Sequence, residues 1–221
     1  MTIDAITPGA RVLCAVSGGV DSIYLLYRMT ELAAQRGFTV GCAHFNHALR
    51  GAESDRDEAF VRSLCERLGV PLIVSGGDVA ARARETGESV EEAARKLRYA
   101  FLEGLGCTVA TAHNADDNAE TVLLNLFRGS GLAGLSGIRP VRENIIRPLL
   151  CVSRKEIEGY LNEQELSWCE DSTNKENDYT RNKIRNELLP WVTENINSRA
   201  AEHILAVSEF ATQADAYFEM E

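Results

Sequence analysis

The 221-residue chain holds six cysteines but no C-x-x-C pair, and Cys14, Cys42, Cys65, Cys107, Cys151 and Cys169 are spread along its length. That scatter excludes a small disulfide-stapled scaffold and a thioredoxin-type redox motif. It predicts free thiols packed as small hydrophobes in a reduced, cytoplasmic protein. No apolar run approaches the roughly 18 residues of a membrane span, and no basic-then-apolar leader opens the chain. G-x-x-x-x-G-K-[ST] is also missing, so the chain has no Walker-type phosphate loop. Basic residues are fewer than acidic ones, 23 against 33, for a net charge of −10. This deficit argues against broad, non-specific nucleic-acid binding, which draws on many Lys/Arg–phosphate contacts, but leaves room for a local basic patch. With 45% hydrophobic and 25% charged residues, the composition is that of a globular chain able to bury a sizeable core.

Apolar runs and helical periodicities alternate through the first half. Arg11–Val16, Thr39–Phe45, Leu72–Val74 and Cys107–Ala112 read as strands buried on both faces. Between them lie a helix around Ile23–Ala34 closed by Gly37, one from Ser54 to Gly69, and one behind a Ser89/Glu92 capping box. A fourth helix follows Asn114 and carries Val122, Leu123, Leu126 and Phe127. Four βα units predict an α/β fold, a doubly wound, Rossmann-like parallel sheet whose ligands bind beyond the carboxyl ends of its strands. Beyond Gly129, the stretch 129–134 reads as a flexible loop and Arg139–Leu150 as one further strand. A Ser153/Glu156 box opens another helix, and short helical patterns run from Arg181 to the end.

Five stretches carry chemistry. Ser17-Gly18-Gly19-Val20-Asp21-Ser22 sits between the first strand and first helix, where glycines let the backbone approach a ligand and free helix N–H groups face an anion. Asp21 would repel phosphate unless a cation lay between, a combination that suits pyrophosphate with Mg²⁺. After the fourth strand, His113 to Thr121 places Asp116, Asp117 and Glu120 in the first two turns of a helix, with Asp117 and Glu120 able to share a face. His44-Phe45-Asn46-His47 follows the second strand; with no third ligand at metal-like spacing it reads as a pocket-lining loop. Arg95, in Glu91–Tyr99, is either solvated or turned into the site. Asp171–Asn174 and Tyr179–Asn186 form the last stretch, in which Arg181 and Arg185 are i and i+4 and could both meet a phosphate backbone.

Taken in order, these stretches resemble the PP-loop ATP pyrophosphatases and, more narrowly, the tRNA(Ile)-lysidine synthase family. The match runs from Val12 to Pro190. The resemblance implies an adenine nucleotide alpha hydrolase-like sheet with a small helical C-terminal extension. It implies a ligase that adenylates the wobble cytidine of tRNA(Ile) (CAU anticodon) with ATP and joins free L-lysine to C2, giving lysidine, AMP and pyrophosphate. It further implies ATP binding by Ser17, Gly18, Gly19, Val20, Asp21, Ser22 and His44, with Mg²⁺ at Asp21 and Asp117. Lysine would be held by Glu120 and Arg95, and the anticodon loop by Arg181, Asn182 and Arg185; Asp21, Asp117 and Arg95 would be the catalytic set. A homodimer is compatible with the resemblance. Asn118 stands where glutamine is usual in the family. Residues 1–190 are expected to form the catalytic domain, and 191–221 a helical connector toward further C-terminal domains. Two alternatives share the fold: a tRNA 2-thiocytidine sulfurtransferase-like enzyme, disfavoured by the lack of paired cysteines, and a non-catalytic nucleotide-binding module.

Overall fold

The computed structural model describes residues 3–49, 51–170 and 180–220. Six strands form one sheet in the order β3-β2-β1-β4-β6-β5. β1 (Arg11–Ala15), β2 (Thr39–Asn46), β3 (Leu72–Gly76), β4 (Thr108–Ala110) and β6 (Ile145–Ile146) run parallel, and β5 (Val141–Arg142) pairs antiparallel with β6. The chain winds outward from β1 to β3, then returns to place β4 on the other flank of β1. The crevice between β1 and β4 is therefore the switch point at which a doubly wound sheet takes its ligand.

Side-chain alternation explains why the sheet is covered on both faces. Val12 and Cys14 point to one side and pack with Ile23, Leu26 and Met29 of α1 (Val20–Arg36), Val61 and Leu64 of α2 (Ala52–Leu68), and Ile157 and Leu161 of α7 (Arg154–Glu163). Leu13 points to the other side, into a smaller cluster with Val109, Ile145 and Tyr99 and Leu102 of α4 (Val90–Glu103). Each fully buried aliphatic side chain contributes about 1.5–3 kcal/mol relative to exposure. Cys14, Cys42 and Cys65 are buried in this core, and burial pushes the Cys14 thiol up, so it stays protonated.

Several expected boundaries follow their caps. Gly37 and Gly69 close α1 and α2 in the left-handed conformation that a side chain resists. Asn114 and Ser153 each make a complete capping box, with Asp117 and with Glu156, at the starts of α5 (Ala115–Phe127) and α7. Other expectations are corrected. α2 begins at Ala52, with Ser54 buried inside it rather than at its start. At Ser89 the hydroxyl accepts from the Glu92 N–H, which is half of the expected box. The stretch read as a flexible loop contains a short helix, α6 (Leu132–Leu135), and the single strand expected over 139–150 is the β5–β6 hairpin. α3 (Val79–Thr86) was not expected; its Val79 and Ala83 pack on Ala93 of α4.

After residue 180 the chain runs through α8 (Thr180–Lys183), a π-helical turn (Ile184–Leu188), α9 (Leu189–Asn195) and α10 (Ala200–Met220). Pro190 has no N–H for the Asn186 carbonyl and crowds it, which accounts for the widened turn immediately before it. α10 lies against α5 and α6, with Ser208 and Ala211 buried and the Ser208 hydroxyl donating to the Ser136 carbonyl at 2.9 Å. Among the described residues no helix is long and apolar enough to cross a membrane.

Candidate active site

The loop after β1 is organised by one hydroxyl. Ser22 Oγ donates to the Gly19 carbonyl at 2.8 Å and accepts from the Ser17 and Gly18 N–H groups at 3.2 and 3.3 Å. Gly18 has φ of +99°, which an L side chain rarely adopts, and a Cβ there would also meet Cys169 Sγ at 3.5 Å. Gly19 is the N-cap of α1 with no side-chain cap, so the first turn of a 17-residue helix offers its N–H groups outward. The loop is held from behind: the Cys169 N–H donates to the Gly18 carbonyl at 2.9 Å. His44, expected in a pocket-lining loop, lies instead within β2 and is buried; it bonds the Val16 carbonyl through Nδ1 at 2.7 Å, supporting the entry to the glycine loop.

Asp21 joins three helices. It accepts from Asn114 Nδ2 of the α5 cap at 3.0 Å and from Arg154 Nη1 of α7 at 2.8 Å. Burial raises its pKa; Arg154 opposes that shift and Asp117 adds to it. Asn114 in turn accepts from the Asp117 N–H, while Asp117 Oδ2 accepts from the Asn114 N–H. The acids after β4 are thus tied to the glycine loop through one asparagine. Asp116 serves the scaffold, accepting from the Arg154 N–H at the start of α7 at 2.7 Å.

Glu120 is 1% exposed and fully engaged. Arg181 Nε reaches it at 2.9 Å, and Arg185 approaches through Nε at 2.5 Å and Nη2 at 2.9 Å. The same two arginines reach Asp117 Oδ1 at 3.1 and 2.8 Å. Burial alone would lower the Arg185 pKa, but Glu120, Asp117 and Asp21 raise it. The i, i+4 pair expected to face a phosphate backbone therefore turns inward onto the acids, with Asn182 between them on α8. Asp171–Asn174 and Tyr179 lie outside the described residues.

Arg95 is exposed on α4, its guanidinium 4.7 Å from the centre of the Tyr99 ring, across a cleft from α5. His113 lines that cleft; Nδ1 lies 3.0 Å from Thr111 Oγ1, and burial lowers its pKa to about 4, so its ring is neutral. Asn118 accepts from the Ile138 N–H at 2.7 Å, fixing the connection beyond α6. The sequence reading missed Arg147 and Arg154. Arg147 was signalled only as a lone charge in the apolar run 145–150; Arg154 looked like an ordinary first-turn residue.

A PP-loop domain family model matches residues 3–192. The chain belongs to the PP-loop family. Curated relatives named tRNA(Ile)-lysidine synthase include one from Chlorobaculum tepidum, 42% identical over 217 residues that cover 96% of this chain and 66% of that protein. Another, from Bacteroides thetaiotaomicron, is 44% identical over 206 residues, 91% of this chain and 47% of the relative. This PP-loop chain thus spans about half to two thirds of the length of these relatives. Among solved structures it is similar to the U34-tRNA thiolase NcsA from Methanococcus maripaludis with its [4Fe-4S] cluster, with a TM-score of 0.74 at 19% identity over 94% of this chain and 74% of that one. That likeness is one of fold. Among the described residues of this PP-loop domain, no three His, Cys, Asp or Glu side chains are grouped to hold a metal.

Proposed function

We propose that this PP-loop domain, over residues 1–190, carries the catalytic site of a tRNA(Ile)-lysidine synthase, with residues 191–221 a helical extension to it. The O2 of the wobble cytidine would attack the α-phosphorus of ATP, releasing pyrophosphate. The ε-amine of lysine would then add at C2, the C2–O bond would break with loss of AMP, and the amine would give up its proton. The observation that carries this reading is the Asp21–Asn114–Asp117 connection, which ties two half-buried acids to the glycine loop after β1.

The residues divide the work as follows. The N–H groups of Val20 and Asp21 and the Ser17 hydroxyl would face the departing pyrophosphate, where preorganised donors stabilise developing charge, while the buried Ser22 hydroxyl and the Gly18 N–H hold the loop in shape. His44 supports that loop. Arg181 and Arg185 indicate what Glu120 is built to receive: a cation with several N–H donors, the chemistry of a lysine ammonium. Arg95 would take the lysine carboxylate, and Arg181, Asn182 and Arg185 would meet RNA only by exchanging partners. His113, neutral at working pH, is too weak a base to carry the amine's proton. Mg²⁺ commonly binds through one or two carboxylates together with substrate phosphates and waters. Asp21 and Asp117 would anchor an ion arriving with ATP, neutralising phosphate charge, by giving up the Arg154, Arg181 and Arg185 guanidiniums that hold them here. The reading places the protein in the cytoplasm, with tRNA and lysine as partners.

The test is pyrophosphate release by the 221-residue chain with ATP, lysine and a cytidine-bearing anticodon stem-loop. Release should require RNA, should pass beyond one equivalent per chain only with lysine present, and should not respond to a sulfide donor. Asp21→Asn should reduce it at least 100-fold while leaving the circular dichroism spectrum unchanged. Near-normal release by Asp21→Asn would remove the role assigned to this carboxylate.

A further inference from the structure

The cleft between α4 and α5 holds more positive charge than the proposed lysine site uses. It encloses about 490 Å³, a volume in the range of cofactor-sized ligands, and four arginines line it: Arg95, Arg128, Arg147 and Arg181. One acid, exposed Glu91, also lines it. Arg181 is committed to Asp117 and Glu120, and Arg95 has the carboxylate role proposed above. Arg128 and Arg147 are then left with no acidic partner among the described residues.

Arg147 is the more telling of the two. It is 6% exposed, its Nη1 donates to the Arg139 carbonyl at 2.6 Å, and its buried Nε has no hydrogen-bond partner among the described residues. A buried guanidinium with an unused donor is costly unless a ligand completes it. The local field agrees. Burial pushes the Tyr99 phenol up, yet the guanidiniums of Arg147, Arg95 and Arg98 bring it below its ordinary value. Arg128 stands at the exposed C-terminal end of α5, farther along the same cleft. A buried cation followed by an exposed one, in a chain of net charge −10, is a local track of positive charge.

We propose that Arg147 and Arg128 hold backbone phosphates of the RNA substrate, so that the α4–α5 cleft is the channel along which the strand enters the site. A single carboxylate is neutralised by one guanidinium, whereas a polynucleotide presents a charge at every residue and matches a row of them. This inference rests on the RNA-modifying reading above.

Its test uses the whole 221-residue chain and a fluorescent anticodon stem-loop, with affinity measured by anisotropy between 50 and 200 mM salt. Arg128→Gln, on the surface, should lower the slope of log affinity against log salt by about 0.7–0.9, the value of one phosphate contact. Arg147→Lys keeps the charge but removes Nε, so affinity should fall about 3- to 10-fold with the slope kept. Affinity and slope unchanged in both variants would overturn the proposal while lysine- and RNA-dependent pyrophosphate release by the parent chain continued to support the function. A higher lysine KM or a weaker ATP Kd in these variants, with RNA binding unaltered, would assign the cleft to those ligands and overturn it equally. RNA-independent turnover by the parent chain would overturn the function and this inference together.

Discussion

Replacing Glu120 by glutamine removes one charge and almost no volume at a position where two arginines converge. In the native chain its two oxygens take three guanidinium hydrogen bonds from Arg181 and Arg185. Glutamine keeps one acceptor oxygen and turns an amide NH₂ toward a guanidinium N–H, donor against donor. Hydrogen bonds to charged groups contribute about 1.5–3 kcal/mol each. The arginine side chains are 33% and 36% exposed, so water recovers part of the loss. A net cost of about 2–3 kcal/mol follows, and for a chain of this size each kcal/mol lowers Tm by about 2–4 °C. Calorimetry should therefore show Glu120→Gln melting roughly 4–12 °C below the parent. Adding Arg185→Gln tests the cause: the double variant should be less destabilised than the sum of the singles, by about 1–2 kcal/mol. A Tm within 2 °C of the parent, or strict additivity in the double variant, would refute the ion-pair network as the anchor of the 180–188 segment.

Two further outcomes follow from buried groups. His113, with a native pKa of about 4 against an ordinary 6.5, accepts its proton later than in the unfolded chain. Its share of stability is complete above pH 6.5 and is lost as pH falls toward 4, up to about 3 kcal/mol. Asp21, with a raised pKa, runs the other way: its contribution is complete below 3.8 and is lost as pH rises through its native value. Urea unfolding between pH 7 and 5 should show stability declining in the parent chain and flattening in His113→Gln; an equal decline in both would assign the slope elsewhere. Gly41→Ala would put a methyl group 2.5 Å from Leu13 Cδ2 and 3.3 Å from the Pro71 carbonyl oxygen, between β1 and the start of β3. Overpacking of this kind costs about 1–3 kcal/mol, read as a lower urea midpoint with an unchanged m-value, and an unchanged midpoint would show that Leu13 has room to turn.

What could be read before the fold was known is what lies close along the chain. Gly37, Gly69, Asn114 and Ser153 act on backbone within four residues of themselves, so their caps are legible from spacing alone. Strand runs of five to eight residues likewise announce themselves. The two-residue strands β5 and β6 fall below any periodicity, and α3 is short, with an apolar face of only Val79 and Ala83. At the site, the glycine loop and the acids were visible as motifs, but their partners were not. Arg154 meets Asp21 across 133 residues of chain, and Arg185 meets Asp117 across 68. The i, i+4 spacing of Arg181 and Arg185 correctly puts them on one face; it does not say toward what. Charge pairing over such separations is fixed by the winding of the sheet, which brings the loops after β1 and β4 to one edge.

Asn114 does two jobs with one amide: its oxygen caps α5 and its nitrogen holds Asp21. A displacement at the start of α1, where phosphate would dock, cannot leave that amide unmoved without breaking one of the two bonds. On the proposed reading, nucleotide binding and cation binding at the acids would therefore be coupled through this amide, and thermodynamic linkage would make the coupling mutual. Whatever factor ATP adds to the affinity for a cation at the acids, that cation returns to ATP. A side chain placed in contact with neither proposed ligand would then set the size of the effect.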